Sequence, residues 1–415
     1  MKFNHLKTLL SAFICLLSAA ALKAQTVKNN QIVLGVVDSV HSKILNETRK
    51  LWIYTPTGVD TSVFSKEHYP VIYLLDGDKN FAAVSGIVQY LSEAWNNTMC
   101  PKMIIVAIPT NANRLRDLTP TNIPEDKMSG GGEKFTEFIE SELFPHIDST
   151  YSTTPCRILI GHSLGGLMVI NTLINHPQMF NGYIAVDPSM WWDNTKLLNQ
   201  ARQVLKDKSY AGKSLYIGIA NTMPVGMDTL QVRKDTLGTT KHIRAILTLK
   251  DIAQRDSALD GLNFDYKYYK DDEHVSVPLI TEYDALRFFF RLYNIPASEI
   301  LSSINGKANP DIVRQIEVNY NTLSKKMGCK ILPSEFNINF YGNFLLRNHK
   351  PELALPFFEY NARNYPQSHN VYVSLGDCYA QLKINAKAIE YYNKALSLKE
   401  NKDTRDKLNK LTFTK

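Results

Sequence analysis

Short, unbroken apolar runs in the first two thirds of the chain constrain its fold more than any other feature. They cover residues 71–75, 103–108, 157–160, 182–186 and 215–220, and a less apolar run covers 264–269. Such runs are typical of strands that are buried on both faces, as in a parallel sheet between helices. The intervening sequence supports helices, since apolar residues recur at helical spacing across 135–147.

Two alternating segments precede these runs. Residues 31–41 and 47–55 alternate apolar and polar side chains and are joined by a short polar stretch, a pattern that predicts an antiparallel hairpin. A hairpin followed by β-α units predicts a mixed, mostly parallel, twisted sheet that is flanked by helices. We therefore expect an α/β fold.

The start of the chain has a pattern of its own. Residues 1–24 begin with basic side chains, continue in a 14-residue apolar run from Leu9 to Leu22 and end at Ala24, which predicts a cleaved secretory signal peptide. The run is shorter than the ~20 residues that span a bilayer, and no later run approaches that length. We therefore expect an exported protein, periplasmic or extracellular, with no transmembrane segment in the mature chain.

Beyond residue 298 the strand pattern stops and the sequence looks helical. A glycine, an alanine and an aromatic residue each recur after 34 residues: Gly342 and Gly376, Ala354 and Ala388, Phe358 and Tyr392. Small residues at this period, where paired helices touch, are typical of tetratricopeptide repeats. We predict a helical connector at 299–332 and repeats at 333–415, which either complete the fold or bind a protein partner.

One strand-to-helix junction is a candidate for catalysis. The run Gly161-His162-Ser163-Leu164-Gly165-Gly166 follows the apolar run at 157–160 and precedes a helix-compatible segment at 167–174. This is the pattern of a nucleophile elbow, in which a serine is held on a sharp turn and glycines on both sides relieve crowding. An ordinary glycine-rich turn can share the pattern, but the flanking runs favour the elbow, with Ser163 as nucleophile.

Chain order selects the predicted base from ten histidines. Elbow hydrolases place serine, acid and histidine in that order, with the histidine in a loop after the last parallel strand. His274 meets this condition because it follows the run at 264–269 through the acidic loop 270–273. His242 lies in a helical segment before the final strand and is set aside.

Two backbone N–H groups are expected to form the oxyanion hole of such an enzyme. We predict that Leu164 supplies one and that Gly77 or Asp78, after the run at 71–75, supplies the other. The alternatives for Asp76-Gly77-Asp78 are a plain turn or a calcium-like cluster, but further acidic ligands at EF-hand spacing are lacking. We expect no metal and no cofactor.

Several motifs together resemble the α/β-hydrolase esterases of the esterase D and enterochelin-esterase (Fes-like) superfamily. They run in family order: Tyr73 to Asp78, Arg116 to Pro120, Gly130 to Phe135, Gly161 to Gly166, Pro188 to Trp192 and His274 to Pro278. The resemblance implies an α/β-hydrolase domain at 25–298 that cleaves carboxylic esters or thioesters, with Ser163 as nucleophile and His274 as base. It also implies that Trp191 and Trp192 wall an acyl or aryl pocket.

The acid of the triad is the least determined residue. It should follow the run at 215–220, where Asp235 and Asp228 both qualify, and we prefer Asp235 because it lies just before a helical segment. Glu273 adjoins the base and is poorly placed to meet its ring, and the resemblance also allows a Ser–His dyad. Asp187 stands where relatives often carry serine, and we expect it to change the pocket floor or to make a structural hydrogen bond.

Several other residues have two interpretations. Arg114 is a candidate for binding a substrate carboxylate or catecholate, whereas Arg116 is expected to form a structural ion pair with Asp117. We expect one of the two tryptophans to pack in the core and the other to face the pocket.

The cysteines of the mature chain, Cys100, Cys156, Cys329 and Cys378, are far apart and lack metal-ligand spacing. We expect buried free thiols, because scattered cysteines in a domain of this size are usually unpaired. A pairing of Cys100 with Cys156 is the conceivable exception, since both precede parallel strands at the same end of the sheet.

Charge and motifs together give the functional hypothesis. The net charge of +7 is spread along the chain without a basic block, which argues against nucleic acid as a partner. The leading hypothesis is a secreted or periplasmic serine esterase that acts on a small-molecule, carbohydrate or siderophore ester. The alternatives are an acyltransferase of the same superfamily and a repeat-mediated scaffold with an idle hydrolase domain.

Overall fold

The computed structural model describes residues 27–28, 31–94, 98–305 and 309–412. The predicted signal peptide at 1–24 lies outside these residues. No helix in the described part of the chain is long and apolar enough to cross a membrane.

The apolar runs form the strands of the central sheet. The strands are β1 (Val27–Lys28), β2 (Gln31–Ile32), β3 (Val36–Ser42), β4 (Glu47–Tyr54), β5 (Tyr69–Leu75), β6 (Ile104–Ile108), β7 (Thr153–His162), β8 (Gly182–Val186), β9 (Ser214–Ala220) and β10 (Asn263–Tyr269). Eight of them form one sheet in the order β10-β9-β8-β7-β5-β6-β4-β3, while β1 and β2 pair separately.

The sheet is mixed as predicted. Strand β4 pairs antiparallel with both β3 and β6. The remaining neighbours in the sheet, β6-β5-β7-β8-β9-β10, all pair parallel. The predicted hairpin is therefore confirmed as β3 and β4, although its first strand begins at Val36, because Gln31 and Ile32 pair with β1 instead. The expected α/β class is confirmed.

Helices cover both faces of the sheet. They are α1 (Gly77–Ser92), α2 (Arg114–Leu118), α3 (Gly132–Phe138), α4 (Phe144–Thr150), α5 (Leu164–Asn175), α6 (Trp192–Val204), α7 (Lys241–Asp260) and α8 (Val277–Phe289). Apolar side chains of α1 and α8 join the core on one face, and those of α3 to α7 join the core on the other. The helix predicted at 135–147 is continuous through a π-helical turn at Ile139–Leu143, between α3 and α4.

The end of the described chain is helical. It comprises α9 (Ala297–Ser302), α10 (Ile312–Met327), α11 (Glu335–Arg347), α12 (Pro351–Asn364), α13 (His369–Gln381), α14 (Asn385–Leu398) and α15 (Lys402–Thr412). A methyl group on Gly342 would lie 2.6 Å from the Phe358 ring, and one on Gly376 would lie 2.4 Å from the Tyr392 ring. The same glycine-on-aromatic contact thus joins α11 to α12 and α13 to α14, as the 34-residue period predicts.

The helical region attaches to the sheet where the parallel strands begin. A disulfide joins Cys156, near the start of β7, to Cys329 after α10. Ser214, the first residue of β9, donates to the carbonyl of Lys326, and the backbone N–H of Ser65, shortly before β5, donates to Glu335. We call this side of the sheet the amino edge.

The disulfide corrects the expectation that all cysteines are free thiols. Cys100 and Cys378 are free and buried, as expected, but Cys156 pairs with Cys329 and not with Cys100. The two bonded residues are 173 positions apart in sequence, so only the packing of α10 under the sheet brings them together.

Candidate active site

The carboxyl ends of neighbouring parallel strands hold residues with unusual backbone geometry. Asp76, Ser163 and Asp187 directly follow β5, β7 and β8, and their φ angles are 52°, 59° and 42°. Positive φ is costly for a residue with a side chain, and such strain is common at functional sites. We call this side of the sheet the carboxyl edge.

The elbow has the geometry that the sequence predicts. Ser163 has φ 59° and ψ −114°, and α5 begins at the next residue, Leu164. A methyl group on Gly161 would lie 2.3 Å from the carbonyl oxygen of Gly165, and one on Gly166 would lie 2.9 Å from Cα of Pro188. Both glycines are therefore required for the chain to turn this sharply.

The carboxylate that meets His274 is Asp187. Its Oδ2 lies 2.6 Å from Nδ1 of His274, and its Oδ1 accepts from the backbone N–H of Ala220 at 3.0 Å. The Asp187 side chain is fully buried, while that of His274 is about one third exposed at 35%. The geometry therefore places an acid–imidazole pair beside the elbow.

Asp235, the residue predicted as the acid, has other partners. Its carboxylate accepts from Thr240 Oγ1 at 2.6 Å and from the backbone N–H groups of Thr236 and Leu237, so it fixes the turn before α7. Asp228 is exposed and accepts from backbone N–H groups within its own loop. Neither carboxylate is bonded to His274.

Asp187 lies outside the segment in which the acid is predicted. The predicted acids follow β9, whereas Asp187 follows β8, one strand closer to the elbow. Its positive φ turns the chain across the end of β9, where its N–H donates to the carbonyl of Gly218 at 2.9 Å. The available signal was a carboxylate directly after a buried apolar strand, at the edge where α/β proteins bind ligands.

A second histidine contacts the same carboxylate. Nε2 of His242, in the first turn of α7, lies 2.8 Å from Oδ2 of Asp187. The rings of His242 and His274 meet edge to face, with centroids 5.1 Å apart. His242 precedes the last strand and is not predicted as a site residue, yet the fold brings it to Asp187.

The hydrogen bonds decide the charge of the buried acid. Burial by itself would raise the pKa of Asp187, but hydrogen bonds from His242, His274 and the N–H of Ala220 outweigh burial and hold its pKa well below the usual range. Asp187 is therefore an acceptor at every ordinary pH. His274 must then place its ring proton on Nδ1, which leaves Nε2 free as a base.

His162 supports the loop that carries His274. Its Nε2 lies 2.8 Å from the carbonyl oxygen of His274, and the two rings are 4.5 Å apart. Burial, and then the neighbouring His274, lower the pKa of His162 to about 4, so its ring is neutral near pH 7. A neutral ring can donate this proton without adding a cation next to the base.

The hydroxyl of Ser163 has its own partner. Its Oγ lies 3.2 Å from Oγ of Ser189, which is buried and whose N–H donates to the Ser163 carbonyl at 3.0 Å. In unliganded enzymes the bond between nucleophile and base is often long and tightens when substrate binds. His162, next to Ser163, and Asp187 both contact His274, so the elbow, this histidine and this carboxylate lie together at the carboxyl edge.

The predicted oxyanion donors are helix starts on adjacent strands. Leu164 opens α5 and Gly77 opens α1, followed by Asp78, and the first N–H groups of a helix have no partner inside it. The preceding residue, Asp76, is held by Arg114, whose Nε and Nη2 donate to its two oxygens at 2.9 and 2.8 Å. Arg114 Nη2 also donates to the carbonyl of His162 at 3.2 Å, so Arg114 links the ends of β5 and β7.

The two tryptophans differ in exposure, as expected. Trp192 is buried and its Nε1 is 3.2 Å from Oγ1 of Thr121, whereas Trp191 is 36% exposed. A cavity of about 170 Å³ lies beside Trp192, and a larger one of about 460 Å³ lies between α10 and α12. Neither of these two cavities is lined by Ser163 or His274.

One group in the described chain has the donor set of a transition-metal site. The ligand atoms of Asp187, His242 and His274 lie within 4.8 Å of one another. A carboxylate and two imidazoles are ligands that zinc accepts. In this structure both imidazoles contact Oδ2 of the carboxylate, at 2.8 and 2.6 Å.

The comparison with protein families now decides the family. The family described as "Putative esterase" matches residues 42–261, which include Ser163, Asp187 and His242. A solved IroE-like serine hydrolase from Shewanella oneidensis is 30% identical, covers 80% of this chain and 99% of its own, and superposes with a TM-score of 0.67. The chain belongs to this esterase family.

Other similar proteins extend the comparison. The ferri-bacillibactin esterase BesA of Bacillus subtilis is 36% identical over 149 residues, which are 32% of this chain and 52% of the relative. The siderophore triacetylfusarinine C esterase of Aspergillus fumigatus is 31% identical over 153 residues, 34% of this chain and 50% of the relative. The chain thus spans about half the length of these curated relatives.

One solved structure shares the fold over nearly the whole chain. An uncharacterised protein from Capnocytophaga ochracea covers 91% of this chain and 99% of its own with a TM-score of 0.60, at 17% identity. A match of that extent includes helices beyond the sheet. The combination of α/β-hydrolase and helical region is therefore a fold shared with another protein.

Proposed function

We propose that this protein is an exported serine esterase that cleaves carboxylic esters through an acyl-enzyme on Ser163. The observation that carries the proposal is the 2.6 Å contact between Asp187 and Nδ1 of His274, beside a strained elbow serine. A buried carboxylate in this position fixes the tautomer in which Nε2 of the base can accept the serine proton.

In the first half of the reaction, Oγ of Ser163 attacks the ester carbonyl carbon as its proton passes to Nε2 of His274. The carbonyl oxygen becomes an oxyanion, and the N–H groups of Leu164 and of Gly77 or Asp78 donate to it. When the intermediate collapses, the bond to the leaving oxygen breaks and His274 returns the proton to that oxygen. The alcohol departs and the acyl group remains on Ser163.

In the second half, water replaces the alcohol. His274 takes a proton from the water as its oxygen attacks the acyl carbon, and the same N–H groups stabilise the second oxyanion. Collapse breaks the bond to Oγ of Ser163, which recovers its proton from His274, and the carboxylic acid leaves. An alcohol in place of water would give acyl transfer, so the products distinguish the two activities.

For the substrate, we propose a siderophore ester. Two relatives at 31–36% identity carry the names of siderophore esterases, and the match extends over about a third of this chain. The exposed Trp191 offers an aromatic surface for an aryl group near the elbow. Polysaccharide acetyl or feruloyl esters and small thioesters are the competing substrates.

The test begins with an activated ester. Ser163→Ala and His274→Ala should each reduce turnover of p-nitrophenyl acetate to background, whereas Ser149→Ala and His68→Ala, at exposed positions, should retain it. Retained activity in either site variant would exclude the mechanism.

The substrate is tested by mass spectrometry of products from a panel. The panel holds a catecholate trilactone siderophore and a hydroxamate siderophore ester, each with and without ferric iron, together with an acetylated xylan, a feruloylated sugar and a small thioester. Preferential cleavage of a siderophore supports the proposal. Preference for the sugar esters or the thioester contradicts it.

A further inference from the structure

We propose that His242 is a positioning residue for the Ser163–His274–Asp187 triad, an inference that rests on the proposed esterase function. The surrounding geometry indicates that His242 holds the carboxylate of Asp187 in the orientation that His274 requires. The active constellation then has a fourth member, supplied by α7, which neither the elbow pattern nor the chain order of a triad predicts.

Three different elements hold the two oxygens of Asp187. The N–H of Ala220 in β9 donates to Oδ1, while His242 from α7 and His274 from the loop after β10 both meet Oδ2. Aspartate has a short side chain, and its carboxylate can rotate unless both oxygens are bonded. Without His242, the single contact with the partly exposed His274 would have to fix Oδ2.

The backbone of Asp187 makes this support necessary. Its φ of 42° is strained for a residue with a side chain, and strained positions persist when surrounding contacts over-determine them. Its N–H is held by Gly218 and its side chain by the donors just named. The His242 side chain is 18% exposed and covers Oδ2 of Asp187. Its removal would therefore admit water to that oxygen.

The segment before α7 is built to deliver this ring. Thr240 directly precedes the helix, and its hydroxyl donates to Asp235 at 2.6 Å. Arg244, one turn into the helix region, donates to the carbonyl of Leu237 at 2.8 Å. These bonds fix the first turn of α7, and His242 lies in that turn. The role of Asp235 is thus indirect, through the helix that carries His242.

The orientation of the ring assigns its proton. Asp187 is ionised and can only accept, so the nitrogen of His242 that faces it, Nε2, must carry a proton. A glutamine amide can occupy the place of this Nε2–H, whereas the asparagine side chain is one carbon shorter. Comparison of His242→Gln with His242→Asn therefore distinguishes the need for a donor at the Nε2 position from the need for any polar side chain.

The experiment compares His242→Ala, His242→Asn and His242→Gln in the full-length mature chain with p-nitrophenyl acetate. We expect kcat to fall about 10- to 100-fold in the Ala and Asn variants, because small misplacements in a catalytic group cost up to about 10²-fold. KM should change little, since His242 does not touch substrate. The Gln variant should recover to within about threefold of the wild-type kcat.

A second measurement does not depend on activity. Protein labelled with ¹⁵N-histidine should show a far-downfield proton resonance for the His274 Nδ1–H that is bonded to Asp187. This resonance should weaken or shift in the Ala and Asn variants and persist in the Gln variant. Urea unfolding of each variant, with His176→Ala as the control histidine outside the site, corrects for any loss of folded protein.

The outcomes separate the two claims. The inference is overturned if His242→Ala keeps the wild-type kcat and resonance, or if all three variants lose activity equally while folded, because the donor would then not matter. If the wild-type protein cleaves no ester, the esterase proposal fails, and the resonance of the variants alone decides whether His242 positions Asp187 for His274.

Discussion

The two edges of the sheet use left-handed backbone in opposite ways. At the amino edge, the residues with positive φ are glycines: Gly212 before β9, Gly261 before β10 and Gly328 after α10. At the carboxyl edge, the corresponding residues are Asp76, Ser163 and Asp187. Glycine adopts this conformation without a Cβ clash, whereas the other residues incur a cost of about 1–3 kcal/mol each.

The difference indicates what each edge is for. Glycines 212 and 328 pack so closely that a methyl group on Gly328 would lie 2.5 Å from the carbonyl oxygen of Gly212. The amino edge is thus an attachment surface, where the helical region packs and the disulfide forms. The carboxyl edge instead accepts strain in order to present a carboxylate and a hydroxyl in fixed directions.

The contacts named above join the helical region to the edge of the sheet opposite the candidate site. Those that join it to the sheet domain through Cys329, Lys326 and Glu335 lie at the amino edge, opposite to Ser163. Its buried side chains continue the core on the face that holds α1 and α8. The division at residues 298 and 332, and a role in binding a partner, stay predictions.

The largest expected effect is a loss of kcat from a substitution at the carboxyl edge. Asp187→Asn should reduce kcat for p-nitrophenyl acetate about 10³- to 10⁴-fold, because the amide can favour the wrong tautomer of His274. Asp228→Asn and Asp235→Asn should stay within about tenfold of wild type, since neither carboxylate touches the base. Equal losses in Asp235→Asn and Asp187→Asn would restore the acid that the sequence favoured.

The next effect is a loss of stability from a substitution at the amino edge. Replacement of both Cys156 and Cys329 by alanine should lower the free energy of unfolding by about 2–4 kcal/mol, because the crosslink restricts the unfolded chain. Esterase activity of the folded variant at 25 °C should match wild type, since the bond is remote from Ser163. Urea unfolding with and without reductant measures the first effect. Loss of activity at full folding would contradict the separation of the edges.

A buried carboxyl group lies on α8, the helix that follows the His274 loop. Burial raises the pKa of Glu282 on α8 to about 8, against 4.5 for its ordinary value, and neither carboxyl oxygen has a hydrogen-bond partner among the described residues. Because the pKa is raised on folding, its contribution to stability is full below about pH 4.5 and is lost as pH rises through about 8.

Glu282→Gln removes this dependence. It should raise the free energy of unfolding by up to about 3 kcal/mol at pH 7 and by little near pH 4. Urea unfolding from pH 4 to 8 measures the change, with the exposed Glu137→Gln as the matched control, expected within about 0.5 kcal/mol of wild type. A gain that does not depend on pH would show that charge burial is not its cause.

The smallest effects compare strain directly. Ser163→Gly should abolish turnover but raise the free energy of unfolding by about 1 kcal/mol relative to Ser163→Ala, because glycine relieves the positive φ. Gly328→Ala should lower it by about 1–3 kcal/mol, since the new methyl group meets Gly212. Gly86→Ala in α1, where the added methyl group has no neighbour within 4 Å, should raise it by about 0.5–1 kcal/mol. Thermal unfolding that ranks the three otherwise would contradict the contrast.

Much of the site was predictable because its parts are local. The elbow needs a strand, a serine between glycines and a helix, all within 157–174. The position of His274 follows from strand order alone. The carboxylate that meets His274 was not predictable in this way, because the loop after β9 offers Asp228 and Asp235 at plausible positions. Spacing along the chain does not show which carboxylate contacts which histidine. What distinguishes Asp187 is the direction that its positive φ gives to the chain.

The sequence by itself determined the mixed sheet, the nucleophile elbow, the loop histidine and the 34-residue helical period, because each depends on neighbours along the chain. Only the tertiary structure decided that His242 joins His274 on one carboxylate oxygen of Asp187 and that Cys156 bonds Cys329. These contacts join residues 55 and 173 positions apart. Their formation depends on the order of strands in the sheet and on where α7 and α10 pack against it, and no local pattern encodes that arrangement.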